Sequence, residues 1–183
     1  MGNKPNKICS IDASTNSLAF AVFEGTNLIK YGKINFFGNN TYEKVVDAGA
    51  KAKAFFSVFN DIDAIVIEHT VFMNSPKTAA DLALVQGALL GAAGVYEIKS
   101  VAPITWQNYF GNKKLTKEEK AEIVKNNPGK SVSWFKTQER NIRKQRTMNL
   151  VEINYDRVIT DNDVADAVGI GHYAINNWEK LTT

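Results

Sequence analysis

Three short apolar runs open the chain. Lys7 to Ala13 (KICSIDA) is apolar and β-branched, and Ser17 to Glu24 (SLAFAVFE) follows a Ser-Thr-Asn turn. Asn27 to Phe37 begins after Gly25-Thr26 and alternates around Ile29, Tyr31 and Ile34. This pattern predicts strands, and turns this short join them as an antiparallel meander. Over Tyr42 to Phe59 the period lengthens. Val45, Val46, Ala48, Ala52, Phe55, Phe56 and Phe59 recur mostly on one side of a helix. Asp63 to Glu68 (DAIVIE) is a continuous apolar run closed by an acid, which suits a buried parallel strand.

Ser75-Pro76 is a helix start, a capping hydroxyl followed by Pro at the first helical position. That helix runs to about Gly94 and is apolar almost all round, so it needs cover on both faces. A sheet and a second helix, from this chain or another subunit, are expected there, and Gly87, Gly91 and Gly94 would let a backbone come close. Val95 to Val101 predicts a further strand, Pro103 to Tyr109 a short helix, and Lys117 to Lys125 a charged helical turn ended by Asn126-Asn127-Pro128-Gly129. Ser133 to Leu150 reads as a basic helix. Thr160 is the expected cap of a last helix from Asp161 to about Lys180. The order predicts one α/β domain over residues 1–183: a three-strand meander on one side of a mixed sheet, parallel strands on the other, helices flanking.

Composition narrows the function. The chain has 183 residues, 44% hydrophobic and 22% charged, enough apolar material for a full core. A single cysteine, Cys9, excludes an internal disulfide framework, and no Cys/His cluster suits a structural zinc. Cys9 is expected in the core. The start, MGNKPNKICS, has no apolar stretch of signal-peptide length before Asp12, and the most apolar run, Leu82 to Tyr96, is too short to span a bilayer. A cytoplasmic protein without a membrane partner is expected. The net charge of +3 hides an asymmetry. Between Lys99 and Arg146 stand 12 basic and 4 acidic residues, a local +8 that leaves −5 elsewhere. A basic segment beside an acidic remainder suggests a polyanion held near a carboxylate centre; the plainer alternative is a solvated helical face.

Four carboxylates suggest that centre. Asp12 sits among apolar neighbours in the first strand, and Glu68 ends the fourth. Asp163 and Asp166 are three apart at the start of the last helix, so they share a face. Three of them have a structural alternative: Asp12 capping a turn, Glu68 pairing with a lysine, Asp163 as an acid near the helix dipole. Clustered carboxylates repel, and two Mg²⁺ ions would resolve that, because hard cations take oxygen ligands. Two metals about 4 Å apart can drive phosphodiester hydrolysis.

Ile11-Asp12-Ala13-Ser14-Thr15-Asn16, followed by Ala19-Phe20-Ala21, resembles the first-strand motif of RuvC-type Holliday junction resolvases, with Ala-Ser where that family has Pro-Gly. Ile67-Glu68-His69-Thr70-Val71-Phe72-Met73 resembles the family's Ile-Glu-Gln-Val-Phe-Met with one extra residue. The Ala-rich helix through Leu84-Val85-Gln86-Gly87 continues the likeness. Asp163-Val164-Ala165-Asp166-Ala167 is similar to its Asp-Ala-Ala-Asp-Ala, and His172 falls where that helix commonly carries a histidine. The resemblance covers residues 7 to about 105 and 160 to 178, while about 106–159 is divergent and basic. It implies an RNase H-like nuclease core in which Asp12, Glu68, Asp163 and Asp166 are both metal ligands and catalytic groups. It also implies Mg²⁺, replaceable by Mn²⁺, a four-way DNA junction as substrate, and a homodimer. Such a variant fits a phage or mobile element, which would place it in a host cytoplasm.

Other residues follow from position. Phe72 and Met73, just past Glu68, are candidates to stack on or wedge open bases, against a core role for Phe72. Lys113, Lys114, Lys117, Lys120, Lys136, Arg140, Arg143, Lys144 and Arg146 are candidates for phosphate contacts, with 136, 140, 143 and 144 on one helical stripe. His172 is either a proton shuttle or a structural histidine, and His69 is expected on the strand face opposite Glu68. The leading expectation is a metal-dependent junction endonuclease cutting in pairs from a dimer. Alternatives are a nuclease for other branched DNA or RNA–DNA hybrids, and a non-catalytic nucleic-acid-binding module. A sugar-kinase or actin-like half would need a Gly-rich phosphate loop that the chain lacks.

Overall fold

The computed structural model describes residues 4–69, 75–94 and 97–182. Strands β1 (Lys7–Ala13), β2 (Ser17–Glu24) and β3 (Asn27–Asn35) form the expected meander, and β4 (Ala64–Glu68) and β5 (Glu97–Val101) extend it. The sheet order is β3-β2-β1-β4-β5. β1 pairs antiparallel with β2 and parallel with β4, and β4 pairs parallel with β5. Helix α1 (Thr41–Val58) links β3 to β4, and α2 (Pro76–Ala93) links β4 to β5. Then come α3 (Pro103–Phe110), α4 (Lys117–Asn126), α5 (Val132–Tyr155), α6 (Asn162–Asn176) and a short turn of 3₁₀ helix, Trp178–Lys180.

Strand alternation splits the apolar residues into two cores. Cys9, Ile11, Ile65 and Ile67 pack with Val85 and Leu89 under α1 and α2. Ile8, Ala64 and Val66 pack with Trp106, Val151 and Val168 under α3, α5 and α6. Two glycines bring α6 close to its neighbours. A Cβ on Gly169 would collide with the Trp106 ring, and one on Gly171 with Phe23 and the Ser10 hydroxyl. Ser10 in turn donates to the Ala167 carbonyl at 2.7 Å, so α6 is seated directly on β1.

Several boundaries differ from the sequence expectation. Asp161, not Thr160, caps α6: its Oδ1 accepts from the backbone N–H of Asp163 at 2.9 Å and of Val164 at 3.1 Å. A carboxylate is a stronger acceptor for those N–H groups than a hydroxyl. Asp163 is therefore the second residue of the helix, and the helix ends at Asn176 rather than Lys180. α5 runs five residues past Leu150 and stops where Asp156 turns left-handed at φ 52°. β3 ends two residues before Phe37. α2 packs against the sheet and against α1, the second helix expected there, and among the described residues its remaining side is exposed. Val85, Leu89 and Ala93 are buried, while nothing stands within 4 Å of a Cβ built on Gly87 or Gly91. The close approach expected at those two glycines is not made among the described residues. Nor is any described helix long and apolar enough to cross a membrane.

Candidate active site

Strand register builds the site. Asp12 pairs with Ala19 on β2, and Ala19 pairs with Lys33 on β3. On the other side Ile11 pairs with Ile67, so the next residues, Asp12 and Glu68, follow together, and Glu68 pairs with Val101. Lys33, Ala19, Asp12, Glu68 and Val101 thus form one row across the sheet. Alternation turns the row to the face that carries α6. Asp163 and Asp166, from the first turns of α6, complete a set of four carboxylates. All four line one cleft of about 840 Å³.

The acids feel burial and one another. Asp12 is held well above the usual carboxylate range by burial first, then by the charges of Glu68, Asp166 and Asp163. Asp166 is pushed up to about 7, by burial and then by Glu68. Glu68 is raised by burial, against a hydrogen bond from Trp106 that favours its charged form. That bond runs from the indole Nε1 to Glu68 Oε1 at 2.7 Å. Thr147 on α5 stands near enough to Asp166 to favour its carboxylate, while its hydroxyl donates to the Arg143 carbonyl at 3.3 Å. Asn112 fixes Thr147 by donating from Nδ2 to its Oγ1 at 2.7 Å. Lys33 pairs with Asp163 at 2.5 Å and with Asp161 at 3.1 Å.

By donor chemistry this set fits hard divalent cations: oxygen ligands only, mutual repulsion and an open cleft. Among the described residues, no group of three or more His, Cys, Asp or Glu side chains is arranged to hold an ion as it stands. Asp163 is engaged by Lys33 and by the Asn162 amide, and Glu68 by Trp106.

The basic stripe forms one wall of the cleft. Lys136, Arg140, Arg143 and Lys144 line it from α5, joined by Lys114 and Lys120. The Arg143 guanidinium donates to Gln107 Oε1, and its Nε is buried without a partner among the described residues. Lys120 is paired with Glu139 at 2.8 Å. Lys113 and Lys117 are exposed and are not among the cleft-lining residues. Arg146 departs from its expected role: its guanidinium is bound to Glu119 and the Lys113 carbonyl, fastening α4 to α5. Phe72 and Met73 lie outside the described residues.

Of the two histidines, His172 takes the structural one of its two readings, and His69 departs from expectation. His172 is not brought to the acids. Its Nδ1 hydrogen-bonds the Tyr155 hydroxyl at 2.6 Å, among the rings of Tyr109 and Phe110, and burial lowers its pKa. Helical rotation between Asp166 and residue 172 carries the ring to this side. His69, expected on the opposite face, is exposed and lines the cleft, because the strand ends at Glu68 and alternation ends with it. Lys33, Trp106, Asn112 and Thr147 were not candidates from sequence.

No family model matches the chain, and no curated protein matches it. Solved structures do. The structure of Thermus thermophilus RuvC aligns over 96% of this chain and 98% of its own, at 16% identity and a TM-score of 0.62. The fold is that of RuvC. A second RuvC structure from the same organism, in complex with a Holliday junction substrate, covers 93% of this chain and 96% of its own, at 15% identity and a TM-score of 0.63. The RuvC fold, an RNase H-like α/β sheet flanked by helices, therefore spans most of the 106–159 segment whose sequence diverges.

Proposed function

We propose that this chain is a divalent-metal-dependent endonuclease that resolves four-way DNA junctions. The observation that carries the reading is the floor of the cleft: Asp12, Glu68, Asp163 and Asp166, from three elements, lie beneath a basic wall from α5. These four acids would hold the ions. Bound there, two Mg²⁺, or Mn²⁺ in their place, supply the charge that activates water and stabilises the leaving oxygen. The rest falls to the chain. Trp106 orients Glu68 by its indole N–H, and Thr147 favours the charged form of Asp166. Lys144, near enough to Asp166 to favour its charge, and Arg143, with its unpartnered Nε, would hold phosphate oxygens beside the acids. Lys114, Lys136 and Arg140 extend that track along the duplex arms. Phe72, four residues past Glu68, would stack on a base at the branch point.

A junction is two-fold symmetric, so paired cuts need two sites, which a C2 dimer supplies. Helix α2 offers the contact. Ala80, Leu84, Gly87 and Gly91 are exposed and recur at coiled-coil spacing on its open side. The test is a cleavage panel with Mg²⁺: a synthetic four-way junction, duplex, flap and RNA–DNA hybrid. Preferential paired nicking of the junction is expected. Equal cutting of flaps or hybrids would reassign the substrate while leaving the chemistry in place.

A further inference from the structure

Lys33 stands at the end of the row that carries Asp12 and Glu68, and its side chain is three-quarters covered. Its ammonium meets two carboxylates that differ in freedom. Asp161 is fixed, because its Oδ1 already accepts two backbone N–H groups as the cap of α6, which leaves Oδ2 for the lysine. Asp163 carries no such backbone duty: its oxygens meet only Lys33 and the Asn162 amide among the hydrogen bonds described. Asp163 can therefore leave the lysine while Asp161 keeps it. Asp12 also feels the ammonium, which opposes the raising of its pKa.

We propose that Lys33 is a built-in counter-cation of the acidic site, which holds Asp163 in the metal-free chain and competes with a divalent ion for it. This rests on reading the four acids as metal ligands. The consequence has two parts with opposite signs. The ammonium stabilises the metal-free fold by offsetting carboxylate repulsion. It also weakens metal binding, because an ion that takes Asp163 must displace a charge-assisted hydrogen bond and then sit near a positive charge. Tethered to Asp161, Lys33 remains at the sheet edge of the site after the exchange. It is a positioning residue, acting through Asp163.

The experiment uses DNA-free protein and Mg²⁺ alone, followed by thermal melting. Lys33→Met keeps the length of the side chain and removes the charge. Its metal-free Tm should fall, and the Mg²⁺ concentration giving half of the full Tm rise should drop by roughly tenfold, the scale on which groups just outside a metal's ligands alter affinity. Lys33→Arg should keep both values near wild type. Should Lys33→Met not fold, Lys33→Gln removes the same charge and should shift the midpoint the same way. A lower metal-free Tm with an unchanged or higher Mg²⁺ midpoint would reduce Lys33 to a fold-stabilising ion pair and overturn the proposal. If Mg²⁺ does not stabilise wild type at all, the metal reading of the acids fails, and the proposal with it.

Discussion

Trp106 donates its indole N–H to Glu68 at 2.7 Å, tying the first turn of α3 to the end of β4. The ring is fully buried and packs against Gly169 of α6, so the donor cannot wander. One side chain thus holds an acid of the sheet and spaces the helix that carries two more. Trp106→Phe removes the donor and part of the packing. Groups that orient metal ligands typically alter affinity or activity by about 10–100-fold. Cleavage should fall on that scale, with a higher Mg²⁺ requirement and a lower Tm. Junction binding measured without metal should stay near wild type. A Mg²⁺ requirement equal to wild type would show that the bond does not act on the site.

Stability of the metal-free chain should fall as pH rises. Burial, and then the charge of Glu68, place Asp166 at about 7, whereas an unfolded aspartate titrates near about 4. Between those values the folded chain holds a proton that the unfolded chain has released. Raising the pH through that window therefore favours unfolding. Asp12, raised for the same reasons, adds to the slope, and His172, lowered by burial, opposes it only until it loses its proton in the unfolded chain, at about pH 6.5. Melting between pH 5 and 8 without divalent ions should show a declining Tm, flatter in Asp166→Asn. With Mg²⁺ the stabilisation should grow with pH, because ligands must be deprotonated. A Tm that rises with pH in the metal-free chain would contradict the burial of these acids.

Affinity for junction arms should depend steeply on salt. If Arg140, Arg143 and Lys144 each neutralise a phosphate, log affinity loses about 0.9 per contact against log salt on duplex arms. The triple variant to Gln should flatten the slope by roughly 3. Arg146→Gln should act differently, because its partners are Glu119 and the Lys113 carbonyl. It should loosen α4 and lower the Tm while leaving the salt slope close to wild type. Binding across a salt series and melting of both variants check this. An unchanged slope in the triple variant would return the stripe to solvated surface.

The open side of α2 predicts the assembly. Leu84→Arg and Gly87→Arg place charge on an exposed stripe that has no partner within the described chain. Sedimentation should show a dimer for wild type and a monomer for each variant, with unchanged Tm at low concentration. Paired cutting of a junction should give way to single nicks. A monomeric wild type would remove the dimer from the account.

The fold and the acids were legible in the sequence for the same reason: alternation. In β1 and β4 it places Asp12 and Glu68 on one sheet face, and the three-residue spacing places Asp163 and Asp166 on one helix face. Lys33 was readable by the same rule, since it shares the parity of Tyr31. It stayed hidden because the inward partner of a lone lysine depends on which helix covers the sheet. Trp106, Asn112 and Thr147 carry no periodic signal. Their role comes from how α3 and α5 cross α6, a tertiary fact. His172 shows the converse: a familiar position in the sequence, but a ring bound to Tyr155.

The central claim is that the four carboxylates hold the ions that drive cleavage, and Glu68→Gln tests it most directly. The amide keeps the shape and can still accept the Trp106 N–H, but it lacks the charge that holds a cation. The measurement is the single-turnover rate on a four-way junction at saturating Mg²⁺, with junction affinity measured in parallel. The account predicts a rate lowered by at least about 10³-fold with affinity equal to or tighter than wild type, since removing negative charge eases the approach of phosphate. Cleavage at near wild-type rate by Glu68→Gln would contradict it.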